Sequence, residues 1–187
     1  MSDFNSFEFV VEQAKEGKWK LLRFGMITLY ILYAVAIAVI IGVALPGMVP
    51  LFALVPVTLW IIVYFTWRFV SVEYEYSIMS GELTFSKIYG NKSRRKQMSM
   101  RLREARLIAP LDGDVYSAKA TAYQPEREFS AISSLKAPDI YFMLFELENP
   151  KTGKKERAIF YFEATAGALK CCRFYNQSAT VVTKVSR

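Results

Sequence analysis

FGMITLYILYAVAIAVIIGVALPGMVPLFALVPVTLWIIVYFTW, residues 24–67, decides the fold of this chain. These 44 residues include no Asp, Glu, Lys, Arg or His. A helix that crosses the hydrocarbon core of a bilayer needs only about 20 apolar residues, so the stretch is long enough for two crossings. Pro46, Gly47 and Pro50 mark a turn near its middle, because proline lacks a backbone N–H and disfavours helix in the preceding residue. The sequence therefore predicts a two-helix membrane hairpin.

The two predicted spans are residues 24–45 and 51–70. At a rise of 1.5 Å per residue they measure about 33 Å and about 30 Å, which matches the thickness of a hydrocarbon core. A secretory signal peptide is the main alternative, but its apolar region is about 7 to 15 residues long and ends at a cleavage site. The other alternative is the buried core of a soluble protein, for which 44 uncharged residues in a chain of 187 leave little room.

Positive charges at the flanks of the hairpin predict its orientation, since cytoplasmic flanks are enriched in Lys and Arg. Arg23 and three lysines precede the first span and Arg68 ends the second, while the connecting turn carries no charge. Both termini are therefore expected in the cytoplasm. Tryptophan favours the membrane–water boundary. The predicted interfacial residues are Trp19, Arg23, Trp67 and Arg68.

Residues 1–23 are predicted to form an interfacial amphipathic helix that leads into the first span. Phe4, Phe7, Val10 and Val11 recur at helical spacing, and acidic and basic residues balance in this segment. A helix with one apolar stripe can lie in the plane of the membrane interface. The alternative is a polar N-terminal tail.

Residues 71–187 are predicted to form one cytoplasmic domain, because about 117 residues suffice for one compact domain and not for two. Alternating apolar and polar residues predict one strand that begins at Val72, a Ser80-Gly81 turn, and a second strand that ends near Tyr89. A loop is expected at 124–138. Further short strands are predicted at 98–102, 105–109, 115–122, 140–148 and 156–162.

A C-terminal amphipathic helix, with Thr165 as its N-cap, is predicted to follow the strands. The order of strands first and one helix last favours a small antiparallel sheet that curls and is closed at one end by the helix. In this arrangement the sheet has no exposed edges and the apolar face of the helix is buried.

Segment 73–90, EYEYSIMSGELTFSKIYG, follows the hairpin and precedes a basic stretch. This pattern resembles the membrane-anchored bacterial pleckstrin-homology-like (PH-like) proteins. In that group a tyrosine-containing strand, a glycine turn and a second strand are followed by Lys/Arg and a short strand, here Tyr76, Gly81, 92–96 and 98–102. The resemblance implies an α+β fold, in which a transmembrane helical hairpin is followed by a PH-like antiparallel β-barrel or sandwich with a C-terminal helix. It implies a binding or assembly module, often oligomeric, and no catalytic residue.

One cluster of side chains stands above background, and it is basic. Within residues 87–106 the only acidic residue is Glu104. Anionic lipid on the cytoplasmic leaflet attracts each nearby Lys or Arg by about 1 kcal/mol. The cluster is therefore predicted to be a loop that binds lipid or a partner, and the alternative is an ordinary positive flank of a membrane span. The candidate residues are Lys87, Lys92, Arg94, Arg95, Lys96, Arg101 and Arg103.

The sequence carries no pattern that predicts catalysis. It has no histidine, the commonest general base near neutral pH and the commonest transition-metal ligand. Cys171 and Cys172 are adjacent in a predicted helix, where their side chains diverge, and a cytoplasmic location would keep them reduced. No glycine motif that cradles phosphate and no nucleophile elbow is present. We therefore expect no enzyme activity, no metal site and no cofactor.

The expected function is that of a non-enzymatic interaction or assembly module in the bacterial inner membrane. Its cytoplasmic domain would bind a protein partner or anionic lipid, with residues 124–138 as a partner-contacting loop. A second copy of the chain or another membrane protein is the expected partner. Nucleic acid is not expected, because much of the net charge of +7 lies beside the membrane spans. The alternative is an accessory subunit of a transporter or of an envelope enzyme complex.

Overall fold

A computed structural model describes residues 6–14, 17–44, 47–90, 93–112, 114–149 and 152–186. The chain forms two compact units. The helical unit comprises Ala14–Val72 and Tyr89–Ser93. The β unit comprises Met1–Gln13, Glu73–Ile88 and Arg94–Arg187. The predicted start of this domain at residue 71 lies within two residues of Glu73, but the β unit also includes Met1–Gln13 from the other side of the helical unit.

The helical unit is an antiparallel pair of apolar helices. It consists of α1 (Gly17–Ala44) and α2 (Leu54–Thr66), and α2 is flanked by short 3-10 helices at Val49–Ala53 and Trp67–Phe69. Two stretches, Trp19–Ala44 and Val49–Phe69, are long and apolar enough to cross a membrane, in agreement with the two predicted spans. Gly47 adopts a φ of +98° between them, a conformation that glycine reaches without strain. Pro46, which is part of the predicted turn, lies outside the described residues.

The two helices pack through one face each and leave the rest of their apolar surface uncovered. The least exposed residues of α1 recur at i, i+3 and i+4 spacing, as expected for a helix–helix contact: Tyr30, Tyr33, Ala34, Ile37, Ala38 and Ile41. The Tyr30 hydroxyl shares a hydrogen bond of 2.6 Å with Thr66 Oγ1. On the other faces, large side chains such as Leu21, Leu32 and Val43 are exposed.

The β unit contains two four-stranded sheets. The first has the order β1 (Ser6–Glu12), β2 (Val72–Met79), β3 (Glu82–Tyr89) and β4 (Ser93–Arg101). The second has the order β5 (Leu107–Pro110), β7 (Ile140–Glu148), β8 (Lys155–Glu163) and β6 (Arg127–Ala131). A 3-10 turn at Leu102–Glu104 connects them, and the helices are α3 (Asp114–Ala122) and α4 (Ala166–Tyr175).

These elements confirm the predicted α+β class and the terminal helix. The strands β5 and β7, and β7 and β8, pair antiparallel, whereas β6 pairs parallel with β8. In the described part of the chain the two sheets stay separate. The architecture is therefore a sandwich and not a closed barrel.

Aromatic side chains dominate the core between the two sheets. Tyr76 from β2 contacts Phe162 from β8 with ring centroids 5.6 Å apart, and Phe160 stacks on Phe162 at 5.5 Å. The Tyr76 hydroxyl donates a 2.6 Å hydrogen bond to the backbone oxygen of Glu163, so its polar end is satisfied where no water reaches it. Helix α4 closes this core, and the Thr165 side chain accepts a bond from the Ala168 amide as predicted for its N-cap.

Ser6–Glu12 forms a strand, so the prediction of one interfacial helix over residues 1–23 is wrong for this part of the segment, whereas residues 17–23 are helical within α1. Strand β1 pairs antiparallel with β2 from Ser6↔Met79 to Glu12↔Glu73. Phe7, Phe9 and Val11 alternate along β1 and pack on the sandwich core. Phe7 and Val11 fit a period of 3.6 as well as a period of 2, so hydrophobic spacing could not decide between helix and strand, and pairing with β2 does. Phe4 and Lys15 lie outside the described residues.

Two further elements differ from prediction in the middle of the chain. The strand expected at 115–122 is α3, because Tyr116 and Ala120, four residues apart, pack against the outer face of the second sheet. The loop expected at 124–138 contains β6, which hydrogen-bonds to β8 from Arg127↔Ala158 to Ala131↔Phe162. The second sheet is thus covered on both faces, by the first sheet and by α3.

Candidate functional site

Four of the seven predicted basic residues lie on β4 and Lys87 lies on β3, so the predicted basic loop is wrong as a description of the backbone. Arg94, Arg95 and Lys96 are exposed on β4, which is the edge strand of the first sheet. Charged side chains on an edge strand discourage pairing with another chain. Lys92, the fourth member of that run, lies outside the described residues.

Arg94 and Lys96 have acidic neighbours within the β unit. Arg94 Nη2 lies 2.6 Å from Glu75 Oε2 and 3.6 Å from Glu8 Oε1, and Lys96 Nζ lies 3.9 Å from Glu82 Oε1. The Glu75 side chain is only 5% exposed. Burial raises the pKa of Glu75, the charge of Arg94 opposes this shift, and Glu8 adds to it. Arg94 therefore compensates a buried carboxylate and is less available to an external ligand than its exposure suggests.

Lys87 is half-buried on β3. Its Nζ lies 5.7 Å from the centroid of the Tyr74 ring, within the range of a cation–π contact. This contact packs the lysine on the sheet. Lys87 does not belong to the cavity lining that contains Arg101 and Arg103.

Arg101 and Arg103 flank a cavity of about 370 Å³ in the β unit, which we call the arginine cleft. The cleft is lined by Met79, Ser80, Gly81, Glu82, Arg101, Arg103 and Tyr175. Gly81 has a φ of +82°, and a Cβ at this position would lie 2.8 Å from Tyr175 Cδ1, so the tyrosine ring packs directly on the turn. Among the described residues neither arginine has an ion-pair partner. The cleft therefore presents two guanidinium groups and one carboxylate, that of Glu82, and neither arginine forms an ion pair within the described part of the chain.

A larger cavity, of about 540 Å³, belongs to the helical unit, and we call it the aromatic cavity. It is lined by Trp60, Val63, Tyr64, Phe65, Trp67, Arg68, Ser71, Tyr89, Gly90 and Ser93. The Trp60 and Tyr64 rings stack with centroids 5.7 Å apart, and Tyr64 meets Phe65 edge-on at 5.4 Å. Among the described residues, Arg68 is the only charged member of this lining.

The chain matches the family described as bacterial PH-like domain (DUF6106) over residues 5–181. It belongs to this family. The match includes the helical unit as well as both sheets, so the helix pair lies within the family's own domain. The resemblance predicted from segment 73–90 is confirmed. No curated protein and no solved structure matches the chain.

Two of the four predicted interfacial residues of this PH-like chain lie in the first turns of α1, and the other two lie just after α2. Trp67 and Arg68 share the aromatic cavity, whereas Arg23 donates a 3.2 Å hydrogen bond to the backbone oxygen of Val70. Trp19 is half-buried on α1. The structure thus brings Trp67 and Arg68 into one site and leaves Trp19 and Arg23 out of its lining.

Sequence reasoning did not assign Trp60, Tyr64, Tyr89 or Gly90 to a site. Trp60, Tyr64 and Trp67 follow i, i+4, i+7 spacing, which places them on one face of a helix, and this signal could have been found. Nothing in the sequence indicates that Tyr89 and Gly90 join that face, because they come from the end of β3. Only the folded chain shows this part of the cavity.

The two cysteines of the PH-like domain are packed inside the β unit. Cys171 and Cys172 are both buried on α4. Burial raises the pKa of both thiols, that of Cys172 to about 12, so the nucleophilic thiolate is disfavoured at neutral pH. Within the described residues no group of three or more His, Cys, Asp or Glu is placed to hold a metal ion.

Proposed function

We propose that this protein is a non-enzymatic, membrane-anchored module of the bacterial cell membrane, and that its PH-like β unit binds anionic headgroups at the cytoplasmic face. One observation carries the anchoring: the helical unit is inserted between two strands that pair with each other. Glu12 of β1 lies opposite Glu73 of β2, so the chain leaves and re-enters the sheet at the same end. A folded sheet lies on one side of a bilayer, and an inserted segment must therefore cross an even number of times. Two helices of membrane-spanning length satisfy this condition.

The surface of the helical unit supports the same proposal. Apolar patches on soluble monomers rarely exceed a few hundred Å², whereas large side chains are exposed along both helices here, from Leu21 to Val43 and from Met48 to Phe69. Lys20, Arg23 and Arg68 flank the uncharged stretch 24–67, which favours a cytoplasmic β unit.

The arginine cleft supports the choice of ligand. Guanidinium groups bind phosphate through paired, charge-assisted hydrogen bonds, and Arg101 and Arg103 have no acidic partner among the described residues. An anionic lipid headgroup offers phosphate at the surface where the anchor would hold the β unit.

Labelling of single introduced cysteines in intact cells tests the anchoring and its orientation. The native thiols are buried, so they give little background with a membrane-impermeant maleimide. Met48→Cys places a thiol on an exposed residue between the helices, and Ser178→Cys places one on an exposed residue of the β unit. We expect Met48→Cys to be labelled in intact cells and Ser178→Cys only after permeabilisation. The reverse pattern would contradict a cytoplasmic β unit.

A further inference from the structure

The aromatic cavity has two chemically different ends. Arg68, Ser71, Ser93 and the backbone of Gly90 form one end, and Trp60 with its aromatic and aliphatic neighbours forms the other. Eight residues separate Trp60 from Arg68, which corresponds to about 12 Å along a helix axis. No carboxylate belongs to the part of the lining that the structure describes. The cavity therefore runs from a cationic end to an apolar end over about two helical turns of the second span.

The cationic end is fixed by a close backbone contact. Gly90 has a φ of +57°, and a Cβ on it would lie 2.8 Å from Arg68 Cβ, so only glycine allows this approach. The Gly90 amide also donates a 2.8 Å hydrogen bond to the backbone oxygen of Ser71. The Arg68 guanidinium lies 4.9 Å from the centroid of the Phe69 ring, a contact that orients the charge without neutralising it.

Arg68 has no ion-pair partner among the described residues. A small aqueous anion would satisfy Arg68 and leave the aromatic end empty. A purely apolar molecule would fill the aromatic end and leave the guanidinium unpaired. A molecule with an anionic head and an apolar body satisfies both ends. The cavity volume of about 540 Å³ lies within the range of small-molecule sites.

We infer that the aromatic cavity binds one anionic phospholipid, with its phosphate on Arg68 and its glycerol and upper acyl chains against Trp60 and Tyr64. This inference rests on the proposed membrane anchoring and adds a specific lipid site within the anchor, separate from the arginine cleft. The phosphate would accept charge-assisted hydrogen bonds from the guanidinium, while the rings of Trp60 and Tyr64 replace acyl-chain contacts of the bilayer.

Fluorescence quenching in proteoliposomes tests the site with the full chain. Trp60 and Trp67 line the cavity, and a Trp19→Phe background removes the one remaining tryptophan, so the emission reports on the site. Brominated phosphatidylglycerol and brominated phosphatidylcholine are compared as quenchers at the same low mole fraction in phosphatidylcholine vesicles. One retained phosphate–arginine contact of about 1 kcal/mol predicts an about five-fold preference for the brominated anionic lipid.

Variants assign the preference to the cavity. Arg68→Gln should abolish the preference, and Arg68→Lys should keep part of it because the charge is retained. Arg23→Gln is the matched control: it removes an arginine at the end of the other span, outside the cavity lining, and should leave the preference unchanged.

The outcomes separate the lipid site from the anchor. Equal quenching by both lipids, or a preference that survives Arg68→Gln, would overturn the lipid site and leave the anchoring intact. Absence of quenching by either lipid would overturn the anchoring and the site together. If inorganic phosphate in the buffer removes the preference, the site takes free phosphate and the assignment to a phospholipid is wrong.

Discussion

The helical unit and the β unit use the same apolar residue types on opposite surfaces. Phe24 on α1 is 68% exposed, whereas Phe160 on β8 is fully buried between the two sheets. In the β unit most charged side chains face water, with Glu75 and Glu163 as buried exceptions, and aromatic side chains dominate the core. In the helical unit most large side chains point away from the partner helix. Under the proposed anchoring, the two surfaces suit different solvents: water for the β unit and lipid for the helical unit.

Truncation of one phenylalanine in each unit tests whether these side chains are buried in the β unit and face lipid in the helical unit. Phe160→Ala opens a cavity between the sheets and should cost about 3 to 5 kcal/mol of the free energy of unfolding. Phe24→Ala removes a ring that faces lipid or detergent in both states and should cost much less. Chemical denaturation of the full chain in detergent, followed by far-UV circular dichroism, measures both. Equal losses for the two variants would mean that Phe24 is buried and that the helical unit is not lipid-facing.

Neutralisation of the two arginines in the arginine cleft tests whether the surface of the β unit binds anionic lipid. Two cations that each contribute about 1 kcal/mol predict an about 30-fold loss of affinity for anionic lipid in the double variant Arg101→Gln/Arg103→Gln. The measurement is titration of the detergent-solubilised chain with short-chain phosphatidylglycerol, with phosphatidylcholine as the reference.

A control pair removes the same charge elsewhere on the β unit. Lys154→Gln/Lys155→Gln changes two exposed lysines, one just before β8 and one at its first position, and should leave the affinity almost unchanged. An equal loss in both double variants would show that net charge, and not the arginine cleft, determines binding.

The smallest expected effect compares two tyrosine hydroxyls, each with a hydrogen bond of 2.6 Å. Tyr76→Phe leaves a buried carbonyl oxygen without its donor and should cost about 1 kcal/mol. Tyr30→Phe removes the hydroxyl that pairs with Thr66 between the helices, where such bonds contribute about 0.6 kcal/mol. The same unfolding assay measures both, and a larger loss for Tyr30→Phe would reverse the expected ranking of the two environments.

The sequence correctly predicted those helices and strands whose residue pattern is compatible with only one type of secondary structure. The 44 uncharged residues with a central turn predicted the helix pair. Strict alternation predicted β2 and β3, and the Ser80-Gly81 turn joins them with both residues at positive φ. Thr165 marked the start of α4 because its side chain can accept a hydrogen bond from the first turn.

The elements that sequence did not predict depend on contacts far along the chain. β1 forms because β2, beyond both helices, offers it a partner. β6 forms because β8 lies beside it, and its short sequence has little strand character of its own. The basic residues Arg94 to Lys96 suggest a loop by composition, yet they suit an edge strand whose side chains remain in water. The aromatic cavity escaped prediction for the same reason, since Gly90 approaches Arg68 only in the folded chain.

The position of β1 has a consequence for biosynthesis. The ribosome makes β1 before either membrane span and β2 after both, so the first sheet cannot be completed until the spans have been made. In the proposed topology, a chain in which one span fails to insert has β1 and β2 on opposite sides of the bilayer. Phe7, Phe9 and Val11 then have no partner strand, and their apolar side chains stay accessible to chaperones and proteases. In the proposed topology, β1 can therefore pair with β2 only after both spans have been inserted.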